Sequence, residues 1–114
     1  MQTVLETPTF IAACKAAGVV EAELQAMIDA IAANPLAGDV IPGSGGARKL
    51  RFARQGGGKS GGYRTIHYFG GEDVPVFLLA LVTKSDRGDI SQAERNELRS
   101  TLPRIVEAYR KRRG

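Results

Sequence analysis

The sequence predicts a small α+β domain in which helices flank a mainly antiparallel sheet. Apolar residues recur at helical spacing in two segments near the N-terminus and in one near the C-terminus. Between them, short runs of strand length are separated by glycine-rich turns. With 43% apolar and 25% charged residues, the composition is typical of a folded globule. We therefore expect one domain over residues 1–114, with the element order β-α-α-β-β-β-α.

The first three elements are predicted to be a strand and two helices. QTVLE, residues 2–6, is an apolar-centred run of strand length, and Thr7-Pro8 provides an N-cap followed by proline at the first helical position. This helix should end at Gly18, and a second helix should continue until Asn34-Pro35 stops it. The core residues that we expect on their apolar faces include Cys14 and Met27.

The rest of the chain is predicted to form three hairpin-connected strands and a final helix. A connection rich in glycine and proline, LAGDVIPGSGG, precedes the strands RKLRFAR, YRTIHYF and VPVFLLALV. Because VPVFLLALV does not alternate, both its faces should be covered, which suits an interior strand beside the N-terminal one. A capping box at Ser91-Gln92-Ala93-Glu94 begins the last helix, which Pro103 should kink or split.

Charge is unevenly distributed along the chain. Residues 1–42 contain five acidic residues and one basic residue, whereas residues 43–69 contain six basic residues and no acidic one. In the strand RKLRFAR, Lys49 and Arg51 share one face, and apolar residues occupy the other. Because the basic segment contains no carboxylate, we expect its cations to lack local partners and to be available for phosphate groups.

The composition also excludes several kinds of site. Cys14 is the only cysteine and His67 the only histidine, so an intrachain disulfide, a structural zinc site and a two-histidine acid–base pair cannot form. We expect His67 to be a hydrogen-bonded structural group. A phosphate-binding loop would need glycine where Ala53 stands. No segment has the character of a membrane span or a signal peptide, so we expect a cytoplasmic protein without a membrane partner.

The segments RKLRFAR, GKSGGYR, VFLLALVTKSD and ISQAE resemble those of the HigB branch of the RelE/ParE toxin superfamily, over nearly the whole chain. The resemblance implies a compact RelE-like fold and a toxin that cleaves mRNA in the ribosomal A site without metal or another cofactor. It implies inhibition of translation and growth arrest. It also implies a cognate antitoxin, usually with a helix-turn-helix domain, which binds a monomeric toxin or forms a hetero-oligomer with it.

The same resemblance assigns site residues. Lys49 and Arg51 match two basic strand residues of RelE, and Arg64 matches its phosphate-stabilising arginine. Lys84 matches a lysine after the last strand, whereas Ser85 stands where RelE has a second arginine. The additional candidates for contact with RNA are Arg48, Arg54, Lys59 and Tyr68.

The implied reaction is attack of a ribose 2′-hydroxyl on the adjacent phosphate. Arg64 and Arg51 would stabilise the charge that develops on the phosphoryl oxygens. We expect Lys49 to transfer a proton, because the arginines around it should favour its neutral form. Two other interpretations remain open, namely a ParE-like toxin that binds DNA gyrase without catalysis and a basic nucleic-acid-binding regulator.

Overall fold

A computed structural model of the chain describes residues 2–53, 62–83 and 90–113. The helices are α1 (Pro8–Ala17), α2 (Glu21–Ala33) and α3 (Gln92–Arg113). The strands are β1 (Val4–Glu6), β2 (Asp39–Val40), β3 (Arg48–Phe52), β4 (Tyr63–Tyr68) and β5 (Val76–Thr83). The strands form one sheet in the order β1-β5-β4-β3-β2, which confirms the predicted α+β class.

The sheet is antiparallel except at one edge. β1 runs parallel to β5, with Val4 opposite Val76, and the other neighbouring strands are antiparallel. β5 is therefore interior, as its continuous apolar sequence predicts, and its side chains contribute to the core on both faces. This double burial explains why the strand lacks an alternating pattern.

Two hydrophobic clusters cover the two faces of the sheet. The first cluster, beneath α1 and α2, contains Phe10, Met27, Ile31 and Leu78. The second cluster, beneath α3, contains Ile66, Phe77, Leu102 and Val106. Cys14 belongs to the first cluster, so both predicted core residues of the N-terminal helices are buried. Each fully buried side chain of this size contributes about 1.5–3 kcal/mol through the hydrophobic effect.

The start of α1 is tied directly to the central strand. Thr7 Oγ1 accepts a hydrogen bond from the Phe10 amide at 3.3 Å and donates one to the Leu78 carbonyl at 2.8 Å. The helix ends at Gly18, whose φ of 73° lies in the left-handed region that favours glycine. Both predicted ends of α1 are thus confirmed.

α3 begins at the predicted capping box and continues through Pro103. The Ser91 amide donates to Glu94 Oε1 at 2.9 Å, and the Glu94 amide donates to Ser91 Oγ at 3.2 Å. The helix is uninterrupted, so the predicted split at Pro103 is wrong. Leu102 and Val106, on either side of the proline, are both buried in the second cluster. Their burial offsets the backbone hydrogen bond that proline cannot make.

β2 is an element that the sequence did not predict, because LAGDVIPGSGG indicates only a connection. Its two residues nevertheless pair with β3, and Asp39 lies opposite Lys49. Gly38 makes this pairing possible, since it has a φ of 88° and a Cβ built on it would overlap the Lys49 carbonyl oxygen. Only glycine allows the two backbones to approach so closely.

A buried hydrogen bond joins α2 to β4. Tyr63 Oη donates to Glu23 Oε1 at 3.1 Å, and the same oxygen accepts a hydrogen bond from the Val20 amide at 3.0 Å. Tyr63 is 1% exposed and Glu23 is 7% exposed. Because Arg64 directly follows Tyr63 in β4, this contact fixes the start of the strand that carries Arg64.

Tyr63→Phe should lower the free energy of unfolding by about 1–3 kcal/mol, because a buried carboxylate loses a hydrogen-bond donor. Denaturant unfolding of the pure protein measures this change. Tyr109→Phe is the matched control, since Tyr109 is only half-buried on α3, and its effect should stay below about 0.5 kcal/mol. Equal losses in the two variants would contradict the assigned role of the Tyr63 hydroxyl.

Candidate active site

Three basic side chains and one carboxylate occupy the same face of neighbouring strands. Arg64 lies opposite Arg51 across β3 and β4, and Asp39 lies opposite Lys49 across β2 and β3. Directly opposite residues of antiparallel strands share a face, with their Cβ atoms about 4.5–5.5 Å apart. A surface pocket of about 400 Å³, here called the basic pocket, lies at this position. The lining residues are Gly38, Asp39, Lys49, Leu50, Arg51 and Arg64.

Arg51 and Arg64 form a like-charged cross-strand pair within the basic pocket. Arg51 is exposed and Arg64 is half-buried. Like charges directly opposite each other destabilise a sheet, so folding alone does not account for this pair. Two guanidinium groups side by side present several N–H donors in fixed directions, which suits the oxygens of a phosphate. The pair therefore forms a candidate anion site.

Asp39 is the pocket residue that sequence reasoning missed. We expected the cations of the basic segment to lack local partners, and this expectation is wrong for Lys49 and Arg64, which both have interaction partners in the structure. β2 also brings Asp39, from outside that segment, to the position opposite Lys49. The available signal was Gly38, a glycine immediately before a short run rich in β-branched residues.

A model of one protein family matches almost the whole chain. It is described as the RelE toxin of the RelE / RelB toxin-antitoxin system, and the match covers residues 2–112. This chain belongs to the RelE toxin family. The predicted superfamily is thus confirmed, and membership implies that the RelE-family toxin has a RelB-like antitoxin as its partner.

Arg48 of this RelE-family toxin does not line the basic pocket. It points to the opposite face of β3, where it lies across from His67. Its Nη1 donates hydrogen bonds to the carbonyls of Leu36 at 2.9 Å and Gly38 at 3.2 Å. These bonds hold the turn that leads into β2, so Arg48 positions Asp39 from the other side of the sheet.

His67 is buried and hydrogen-bonded, as predicted. Its Nε2 donates to the Pro35 carbonyl at 3.0 Å, and its Nδ1 has no partner among the residues that the structure describes. Burial lowers the pKa of His67 below its ordinary value of 6.5; the Pro35 hydrogen bond acts in the opposite direction, and the charge of Arg48 lowers it further. His67 is therefore a neutral group that holds the same turn as Arg48.

Tyr68 of the RelE-family toxin does not line the basic pocket. Tyr68 lies at the far end of β4 from Arg64, where its half-buried ring packs against the second cluster beside Gly70. The candidates that lie outside the described residues are Arg54, Lys59 and Lys84.

Residues 2–53, 62–83 and 90–113 contain neither a metal-binding cluster nor a membrane-spanning helix. In these ranges, no three His, Cys, Asp or Glu side chains lie close enough together to hold a metal ion. No helix within them is long and apolar enough to cross a membrane.

The stability of this RelE-family toxin should fall as the pH is lowered from about 7.5 to about 5.5. His67 takes up a proton near pH 6.5 in the unfolded chain but resists protonation in the folded one. The unfolded state then binds more protons, so this residue contributes a slope of up to about 1.4 kcal/mol per pH unit. Denaturant unfolding across this range should show a smaller slope for His67→Gln. Identical slopes in the two proteins would exclude this role.

Proposed function

We propose that this toxin is a ribosome-dependent endoribonuclease of the HigB-like branch, which cleaves mRNA in the cytoplasm without a metal cofactor. Cleavage would inhibit translation and arrest growth. The Arg51–Arg64 pair carries the proposal, because it sets two planar cations on adjacent strands where both can contact one phosphate. Membership in the RelE toxin family supports the toxic role.

The proposed reaction is attack of a ribose 2′-hydroxyl on the adjacent phosphate. Negative charge grows on the phosphoryl oxygens in the transition state. Hydrogen-bond donors that are already in position stabilise this charge and so lower the barrier. Arg64 is the better placed of the two arginines for this role, because it is half-buried and its charge is less screened by water. Arg51 is exposed and would mainly bind the phosphate backbone. Lys49, about 7 Å from Arg51 along β3, would transfer a proton.

The proposed partners explain how so small a site could be effective. The ribosome would hold the mRNA in a reactive geometry, and correct positioning alone can account for a large part of a rate enhancement. A helix-turn-helix antitoxin would bind the toxin, which would be monomeric or part of a hetero-oligomer, with residues 1–114 acting as a single domain. Lys84 remains a proposed catalytic residue because it matches a lysine of RelE, and Arg54 and Lys59 remain proposed contacts to RNA because of their charge.

Arg64→Ala should lower the rate of mRNA cleavage on ribosomes about 100-fold or more, because a transition-state contact is lost. The variant should still fold and bind ribosomes. Single-turnover cleavage and mapping of RNA 5′ ends after induction measure the effect. The matched control is Arg104→Ala, an exposed arginine of α3, which should remain toxic. Full toxicity of a folded Arg64→Ala protein would refute the assignment, and DNA breaks with intact RNA would identify gyrase as the target.

Arg51→Ala should weaken ribosome association and reduce the salt dependence of binding by about one unit of slope, because one phosphate contact is lost. Cleavage by the bound complex should change less than it does in Arg64→Ala. Arg51→Lys keeps the charge and should retain most of the salt dependence. Affinity measured at several salt concentrations tests this, and an unchanged slope for Arg51→Ala would contradict it.

A further inference from the structure

We propose that Asp39 is the general base that removes the proton from the ribose 2′-hydroxyl, with Lys49 opposite it as the general acid. The proposal rests on the proposed ribonuclease function and names the acid and the base that it requires. The observation that carries it is the pairing of β2 with β3, which sets a carboxylate directly opposite an ammonium group within the basic pocket.

Several independent contacts hold Asp39 in this position. Gly38 allows the backbone to approach the Lys49 carbonyl, and Arg48 donates two hydrogen bonds to the preceding turn. His67 holds the same turn through the Pro35 carbonyl. A two-residue edge strand would otherwise pair weakly, so these contacts fix the backbone from which the Asp39 carboxylate extends.

The charge of Asp39 does not suit a surface that only binds RNA. A carboxylate repels the phosphate backbone, so a pure binding groove would favour a neutral or basic residue at this position. Asp39 is exposed, and no ion pair or side-chain hydrogen bond engages it among the described residues, which leaves its oxygens able to accept a proton. Arg51 is its diagonal neighbour, at about 7–8 Å between the backbones, so a phosphate held by Arg51 and Arg64 would lie beside this carboxylate.

The proposed cleavage step transfers one proton to Asp39 and one proton from Lys49, and it needs no oxidant or reductant. The 2′-hydroxyl gives its proton to the Asp39 carboxylate while its oxygen forms a bond to phosphorus. The bond between phosphorus and the 5′ oxygen breaks, and that oxygen takes a proton from the Lys49 ammonium group. The products are a 2′,3′-cyclic phosphate and a 5′-hydroxyl end. Transfer of the proton from Asp39 to Lys49, through water, restores both groups.

The test compares single-turnover cleavage of two ribosome-bound mRNAs, one of which carries sulfur in place of the bridging 5′ oxygen at the mapped cleavage site. A thiolate leaves without being protonated, so the sulfur substrate needs a general base but no general acid. Asp39→Asn should cleave both substrates at least about 100-fold more slowly than the wild type. Lys49→Ala should be slow on the oxygen substrate and close to the wild type on the sulfur substrate. Asp39→Glu, which keeps a carboxylate, should retain part of the activity.

Two controls keep the outcome specific. Asp29→Asn makes the same chemical change on an exposed position of α2 and should leave cleavage unchanged. Asp39→Asn should match the wild type in thermal stability, because the residue is exposed at the edge of the sheet, and should bind ribosomes at least as tightly, because a repelling charge is removed.

Three results would overturn the assignment of Asp39. The first is wild-type cleavage by Asp39→Asn, and the second is its rescue by the sulfur substrate, which would place Asp39 on the leaving-group side. The third is a loss of ribosome affinity that accounts for the whole defect. A wild-type protein that leaves both mRNAs intact on the ribosome would instead refute the proposed ribonuclease function.

Discussion

The close approach of two backbones at Gly38 is the constraint on which the rest of the basic pocket depends. Without a Cβ, the chain passes against the carbonyl of Lys49 and can pair with β3 for two residues. Such a short pairing contributes little by itself. Hydrogen bonds from Arg48 and His67, on the other face of the sheet, hold the turn in place. The geometry of the pocket is thus maintained from the face opposite its charged residues.

The side chains of β3 point alternately to the hydrophobic core and to the basic pocket. Leu50 and Phe52 pack against the first cluster, while Lys49 and Arg51 line the pocket on the opposite face. A slip of one residue in the register of this strand would bury the cations and expose the apolar side chains. Burial of the apolar face therefore specifies where the charges lie, so the stability of the fold and the placement of the site have the same origin.

Most of the fold follows from local sequence patterns, and the remainder depends on distant contacts. Among the described residues, periodicity and capping residues predicted the three helices, and apolar runs of strand length predicted four of the five strands, including β1 beside β5 but not its parallel direction. Alternation also placed Lys49 and Arg51 together. β2 has only two residues and no period, and it exists because of contacts with residues eight positions away or more. The sequence did not identify Asp39 as a pocket residue for the same reason, since no local pattern around Asp39 indicates that it pairs with Lys49.

The parallel pairing of β1 with β5 has a consequence for biosynthesis. Thr7 binds the carbonyl of Leu78, a partner 71 residues further along the chain. During translation, β1 has no strand to pair with until most of the domain has emerged from the ribosome. β4 likewise lacks one of its two neighbours until then. Non-local pairing of this kind is slow to form. The nascent chain therefore cannot acquire its complete sheet, and the activity that depends on it, until late in its own translation.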